Sequence, residues 1–116
     1  MKKLLIASSL LTLSFAPVPE AHANDSVSLR ICEYVSVNDK KRLRSFMKKS
    51  KLKIRTVFDN IKCNGQNILV FSASSNALDA GEMIIGKLPK KAVAENLDEV
   101  TKHSAHLGAI AKKRIN

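Results

Sequence analysis

Tryptophan is absent from this chain of 116 residues, tyrosine occurs once and phenylalanine four times. A core with so few aromatics has to be packed from aliphatic side chains, and there is almost nothing on which nucleic-acid bases could stack. Cysteine is limited to Cys32 and Cys63, a spacing nothing like Cys-x-x-Cys, and no histidine sits near them at finger-like spacing. Glycine numbers four, and no glycine-rich loop suited to a phosphate is present. Acidic residues are the other shortage: 10 Asp and Glu face 20 Lys and Arg, for a net charge of +10.

Long apolar runs are missing too. Leu4 to Phe15 is broken only by Ser and Thr, but it is shorter than the roughly 20 residues that span a bilayer. Lys2 and Lys3 precede it, Pro17, Pro19 and Glu20 end it, and Ala21-His22-Ala23 follows. A basic region, a short apolar region and an Ala-x-Ala site make a secretory signal peptide over residues 1–23, cleaved before Asn24. The expected destination is the periplasm or the exterior, with no transmembrane span after cleavage. The rest is too short for more than one domain. The division expected is a helical domain over residues 24–89 and a tail over 90–116.

A small aliphatic core is marginal without a staple. Both cysteines lie in the exported part, where an oxidising compartment favours a bridge, so a structural Cys32–Cys63 disulfide is expected. A redox pair or a metal site is the minor alternative.

What is present is helical periodicity. Val27, Ile31, Tyr34 and Val35 share a face of a helix from Asp25 to Val37, capped by Asp25 or Ser26. Asn38-Asp39 breaks it and caps a second helix with Leu43, Phe46 and Met47 on its apolar side. After a joint at Ser50 to Leu52, Ile54, Val57, Phe58 and Ile61 repeat the spacing. Asn64-Gly65 is a turn signal. Gln66 to Ser74 suits strand or helix, and Leu78 to Leu88 suits a helix ended by Pro89. No segment alternates convincingly with period two, so the fold class expected is all-α.

"ICEYVSVNDKKRLRSFM" from Ile31 lies without a gap over "LVFSASSNALDAGEMII" from Leu69, an offset of 38. Asn38 meets Asn76, Val35 meets Ala73, and Phe46-Met47 meet Ile84-Ile85. Such offsets mark stacked helix pairs. The second copy has the rhythm of an ankyrin repeat, but Asn67-Ile68-Leu69-Val70 stands where that family has Thr-Pro-Leu-His. The architecture expected is a small bundle of two packed helical hairpins. In the tail, Val93, Leu97, Val100, Leu107 and Ala111 predict one long amphipathic helix, with polar Ser104 interrupting the stripe. That helix packs on its own domain or frays; self-association through its stripe is the sharper alternative. Lys112, Lys113 and Arg114 suit its dipole.

Candidate chemistry is sparse. His103 and His106, one turn apart on the tail helix, lack a third metal ligand. Asp79 and Glu82 read as the acidic first turn of a helix. No nucleophile–base pair, metal site or cofactor motif emerges, so an enzyme is not expected, nor a cofactor. The feature with binding potential is "NDKKRLRSFMKKSKLKIR", residues 38–55, nine basic residues against one Asp. Lys40, Lys41, Arg44 and Lys48 lie opposite the apolar side of their helix, and Lys51, Lys53 and Arg55 continue the charge. A solvated face is the ordinary explanation. Against it, solubilising faces mix signs, and charge of one sign focuses a field. The expectation is a non-enzymatic binding or adaptor domain whose basic face meets an acidic protein, a membrane or a lipopolysaccharide surface. Nucleic acid is not expected as the partner, and a structural or self-associating protein using the tail is the alternative.

Cys32, Asn38-Asp39-Lys40, Leu43-Arg44 and Cys63-Asn64-Gly65 together resemble a family of small exported gammaproteobacterial proteins catalogued only as a domain of unknown function. The likeness covers roughly residues 29–89. It brings no activity or catalytic residues. It implies that both cysteines, the Asn-Asp turn and the Asn-Gly turn belong to the framework.

Overall fold

Asn38 and Asn76 both adopt left-handed backbone, with φ of 58° and 57°. Short polar side chains tolerate that region better than most. Each asparagine ends a helix in the same way. Asn38 N–H donates to Val35 O and Asp39 N–H to Tyr34 O, while Asn76 N–H donates to Ala73 O and Ala77 N–H to Ser72 O. These paired bonds form a Schellman motif, which satisfies carbonyls left over at a helix end. Two helical hairpins result: α1 (Pro19–Ser36) with α2 (Lys40–Lys49), and α4 (Ile68–Ser74) with α5 (Leu78–Lys87).

The computed structural model describes residues 19–116, so residues 1–18 of the expected signal peptide lie outside the described residues. Among the described residues there are eight helices and one two-stranded ribbon, and the chain is all-α. Between the hairpins come α3 (Ile54–Asn60) and the strands β1 (Lys62–Cys63) and β2 (Gln66–Asn67). Asn64 and Gly65 turn the ribbon with φ of 54° and 76°, as a type I′ turn requires. The strands pair antiparallel, Lys62 opposite Asn67 and Cys63 opposite Gln66. Two residues per strand are too few for alternation to show in the sequence.

The offset of 38 residues is a structural repeat. Ile31 and Leu69, Val35 and Ala73, and Met47 and Ile85 are buried at matching positions. The copies are also joined at their turns. Asn38 Oδ1 accepts from Asp79 N–H at 2.9 Å and from Ala80 N–H at 3.0 Å, and Asn38 Nδ2 donates to Asp79 Oδ2 at 3.3 Å. The residue that ends α1 therefore caps α5 of the other hairpin.

Cys32 and Cys63 form the expected disulfide, with Cα atoms 5.7 Å apart, tying the C-terminal part of α1 to β1. Two expectations change. The first helix opens at Pro19 rather than at Asp25 or Ser26, since proline is at home in the first turn and nothing after it breaks the helix. The tail is not one long helix but three: α6 (Lys90–Glu95), α7 (Leu97–His103) and α8 (Ala105–Ile115).

Polar side chains make both breaks. Asn96 Nδ2 bonds back to Ala92 O at 2.8 Å, and Asn96 Oδ1 accepts from Asn67 Nδ2 at 2.9 Å, tying the α6–α7 junction to the start of α4. Ser104 takes extended backbone, and its Oγ accepts from Leu107 N–H at 3.1 Å to cap α8. The tail folds back on itself and onto α4 and α5. Val93, Val100, Leu107 and Ala111 are fully buried in the common core, so the stripe expected to offer self-association is covered by the chain itself.

Gly81 shows how close that packing is. It corresponds to Leu43 of the first copy, and a Cβ there would lie 2.5 Å from Leu107 Cδ1. The second hairpin thus gives up a side chain where α8 lies against it.

Candidate anion-binding groove

The second helices of the two hairpins, α2 and α5, pack side by side. Both are followed by bends. After α2, Lys51 has a φ of 55° and Leu52 N–H bonds to Met47 O at 2.8 Å, so the chain turns and enters α3 at Ile54. After α5, Leu88 and Pro89 take extended backbone, because proline disfavours helix in the residue before it. The cleft between these exits is a groove of about 760 Å³.

Its floor is apolar: Met47, Leu52, Ile54, Met83, Leu88 and Pro89. Its cations are Arg44, Lys48, Lys53, Arg55, Lys87 and Arg114, with no acidic residue among the lining side chains. Helical spacing explains the arrangement. Arg44, Met47 and Lys48 stand three and four apart on α2, and Met83 and Lys87 four apart on α5, so each helix sets a cation beside a floor residue.

Arg114 is the best-held of the six. Its Nη2 donates to Leu88 O at 2.8 Å and its Nε to Ile85 O at 3.2 Å. The residue expected to complement the dipole of its own helix thus satisfies carbonyls at the end of α5. That leaves the guanidinium half-buried, with further N–H donors at the groove.

Four of the seven basic residues singled out from the sequence line the groove: Arg44, Lys48, Lys53 and Arg55. Lys40, Lys41 and Lys51 are exposed and do not line it. Among the described residues the contacts between a carboxylate and a basic side chain are Arg42–Asp39 at 3.5 Å and His103–Glu99 at 3.7 Å, so no carboxylate pairs with a groove cation there. Sequence reasoning missed Lys87 and Arg114 as groove residues. Lys87 was legible in principle, because the repeat sets α5 beside α2. Arg114 was not, because its placement depends on the breaks that fold the tail back.

Other candidate chemistry disperses. His103 ends α7 and His106 lies in α8, so the break at Ser104 removes the one-turn spacing expected of them. Among the described residues no three His, Cys, Asp or Glu side chains gather to hold a metal ion. Asp79 is engaged by Asn38 at the hairpin junction. No helix of the described residues is long and apolar enough to cross a membrane.

Tandem helical hairpins pinned by one disulfide define the class of the molecule, a small all-α domain with a basic groove. Over residues 31–95 the chain matches the family described as "Protein of unknown function (DUF3718)", and it belongs to that family. The match includes both hairpin turns, both cysteines and every groove residue but Arg114. No curated protein and no solved structure matches the chain.

Proposed function

We propose that this chain is an exported, non-enzymatic binding domain that holds an anionic partner in the groove between α2 and α5. The observation that carries the reading is the lining itself, six cations around an apolar floor without a carboxylate among them. Cations so arranged repel one another, a cost relieved when an anion enters; water-sized neighbours alone give no reason to omit acidic residues. The apolar floor adds contact area, so affinity does not rest on charge alone. Export is supported by the basic, apolar and Ala-x-Ala segments of residues 1–23 and by the Cys32–Cys63 bridge, since such bridges persist in oxidising compartments.

Location of charge, rather than its amount, is the discriminating variable. Binding of the secreted protein to anionic phosphatidylglycerol vesicles at low salt is compared for two double variants of equal charge. Arg44→Glu with Lys48→Glu alters the groove, whereas Lys40→Glu with Lys41→Glu alters the same helix outside it. Only the groove pair is expected to abolish binding, and added salt should weaken the wild type. Equal losses in both pairs would mean a diffuse basic surface, and absence of binding to any anionic surface would end the reading.

A further inference from the structure

The groove is one-sided in a second respect besides charge. Its lining side chains are Arg, Lys, Met, Leu, Ile and Pro, and not one carries an oxygen atom. The strong polar groups of its side chains are therefore all N–H donors, and the rest of those side chains is hydrocarbon or thioether. A ligand that fits such a lining brings acceptors at one end, hydrocarbon at the other, and no donors in need of partners. An extended peptide fits poorly, since each residue carries an N–H that would be buried against a wall without side-chain acceptors. Nucleic acid brings donor-bearing base edges, and no aromatic ring lines the groove to stack on them.

We infer that the groove binds a single-chain lipid whose headgroup is a net-anionic phosphate monoester. This rests on the groove reading above and names the ligand class. Arg114 supplies the anchor. Its two bonds to Ile85 O and Leu88 O hold the guanidinium in place, so little rotamer freedom is lost when its remaining donors meet phosphate oxygens. Arg44, Lys48, Lys53, Arg55 and Lys87 supply the rest of the positive field.

The acyl chain lies along Met47, Leu52, Ile54, Met83 and Leu88. Unbranched, polarizable methionines adapt to a flexible chain better than branched side chains do. Scale agrees: about 760 Å³ falls within the roughly 300–1,000 Å³ typical of small-molecule sites.

The secreted protein is titrated by calorimetry with lysophosphatidic acid below its micellar concentration. Lysophosphatidylcholine of the same chain length, inorganic phosphate and an acidic amphipathic peptide serve as comparisons. The expected result is one lysophosphatidic acid per protein, bound at least about tenfold more tightly than any comparison, the difference one charge-assisted contact can make. Arg44→Glu with Lys48→Glu, both exposed and so neutral to folding, should weaken it by at least about tenfold. Met83→Gln should weaken lysophosphatidic acid but not inorganic phosphate.

Inorganic phosphate binding as tightly as the lipid would overturn the inference and leave a plain anion site, with the proposed function intact. The peptide binding more tightly than the lipid would likewise overturn the lipid and keep the anionic partner. Equal binding of the choline lipid, whose phosphodiester is balanced by its own cation, would remove the net negative charge from recognition and overturn the inference. Absence of binding by every anion would overturn the proposed function with it.

Discussion

Asn38 and Asn76 share a residue type, a left-handed φ and a Schellman end, yet they differ in what their side chains hold. Asn38 Oδ1 accepts two N–H groups at the start of α5, whereas Asn76 is exposed and makes no such bond among the described residues. Replacing Asn38 with Ala removes an N-cap and puts a Cβ-bearing residue without a polar side chain into left-handed backbone. The expected loss is about 2 kcal/mol. Asn76→Gly keeps the backbone permissive and removes no cap, so it should stay within about 0.5 kcal/mol of wild type. Urea midpoints at constant m-value check both, and equal losses would contradict the cap across the repeat. The Asn-Asp turn was legible in the sequence as a helix break; that its asparagine reaches the other hairpin was not. A side chain crossing between copies has no signature in local spacing.

At the level of elements, periodicity carried far because most helices bury one stripe. Leu43 and Met47 on α2, and Ile54 and Val57 on α3, are buried where the spacing of threes and fours put them. It failed in the tail, where the stripe continues through both breaks. Val93, Val100 and Leu107 keep in register although three helices carry them, because the breaks come from side-chain hydrogen bonds of Asn96 and Ser104 rather than from glycine or proline. The polar Ser104 within the stripe was the one visible sign. The close meeting of α5 and α8 gives a paired test. Gly81→Ala sets a Cβ against Leu107 and Ser72 Oγ and should destabilise by about 1–3 kcal/mol. Gly86→Ala, with no atom within 4 Å of the added Cβ, should stabilise by up to about 1 kcal/mol through helix propensity alone. Thermal melts of the two variants should move in opposite directions; a shared direction would mean that α8 does not lie on α5 as described.

For the whole molecule, one covalent link and one charge imbalance matter most. The disulfide closes a loop between residues 31 positions apart, worth roughly 3–4 kcal/mol in the chain-entropy account. That is a large share of the stability of a domain this size, so reduction should lower the melting temperature by more than about 10 °C. An unchanged melt on reduction would show that the core holds without the link. The charge imbalance was plain in the sequence, but the groove was not. A basic run on α2 looks the same whether it borders water or a cleft. Only the packing of α5 and the return of α8 supply the opposite wall, with Lys87 and Arg114 on it.

The central claim is that an anion is held at this groove and not on the basic surface at large. Backbone amide shifts in a heteronuclear NMR titration with an anionic amphiphile locate binding residue by residue. The account predicts that perturbations converge on Arg44 to Lys48, Leu52 to Arg55, Met83 to Leu88 and Arg114. Shifts centred instead on Lys40, Lys41, Lys90 and Lys112, with the groove residues unmoved, would contradict it.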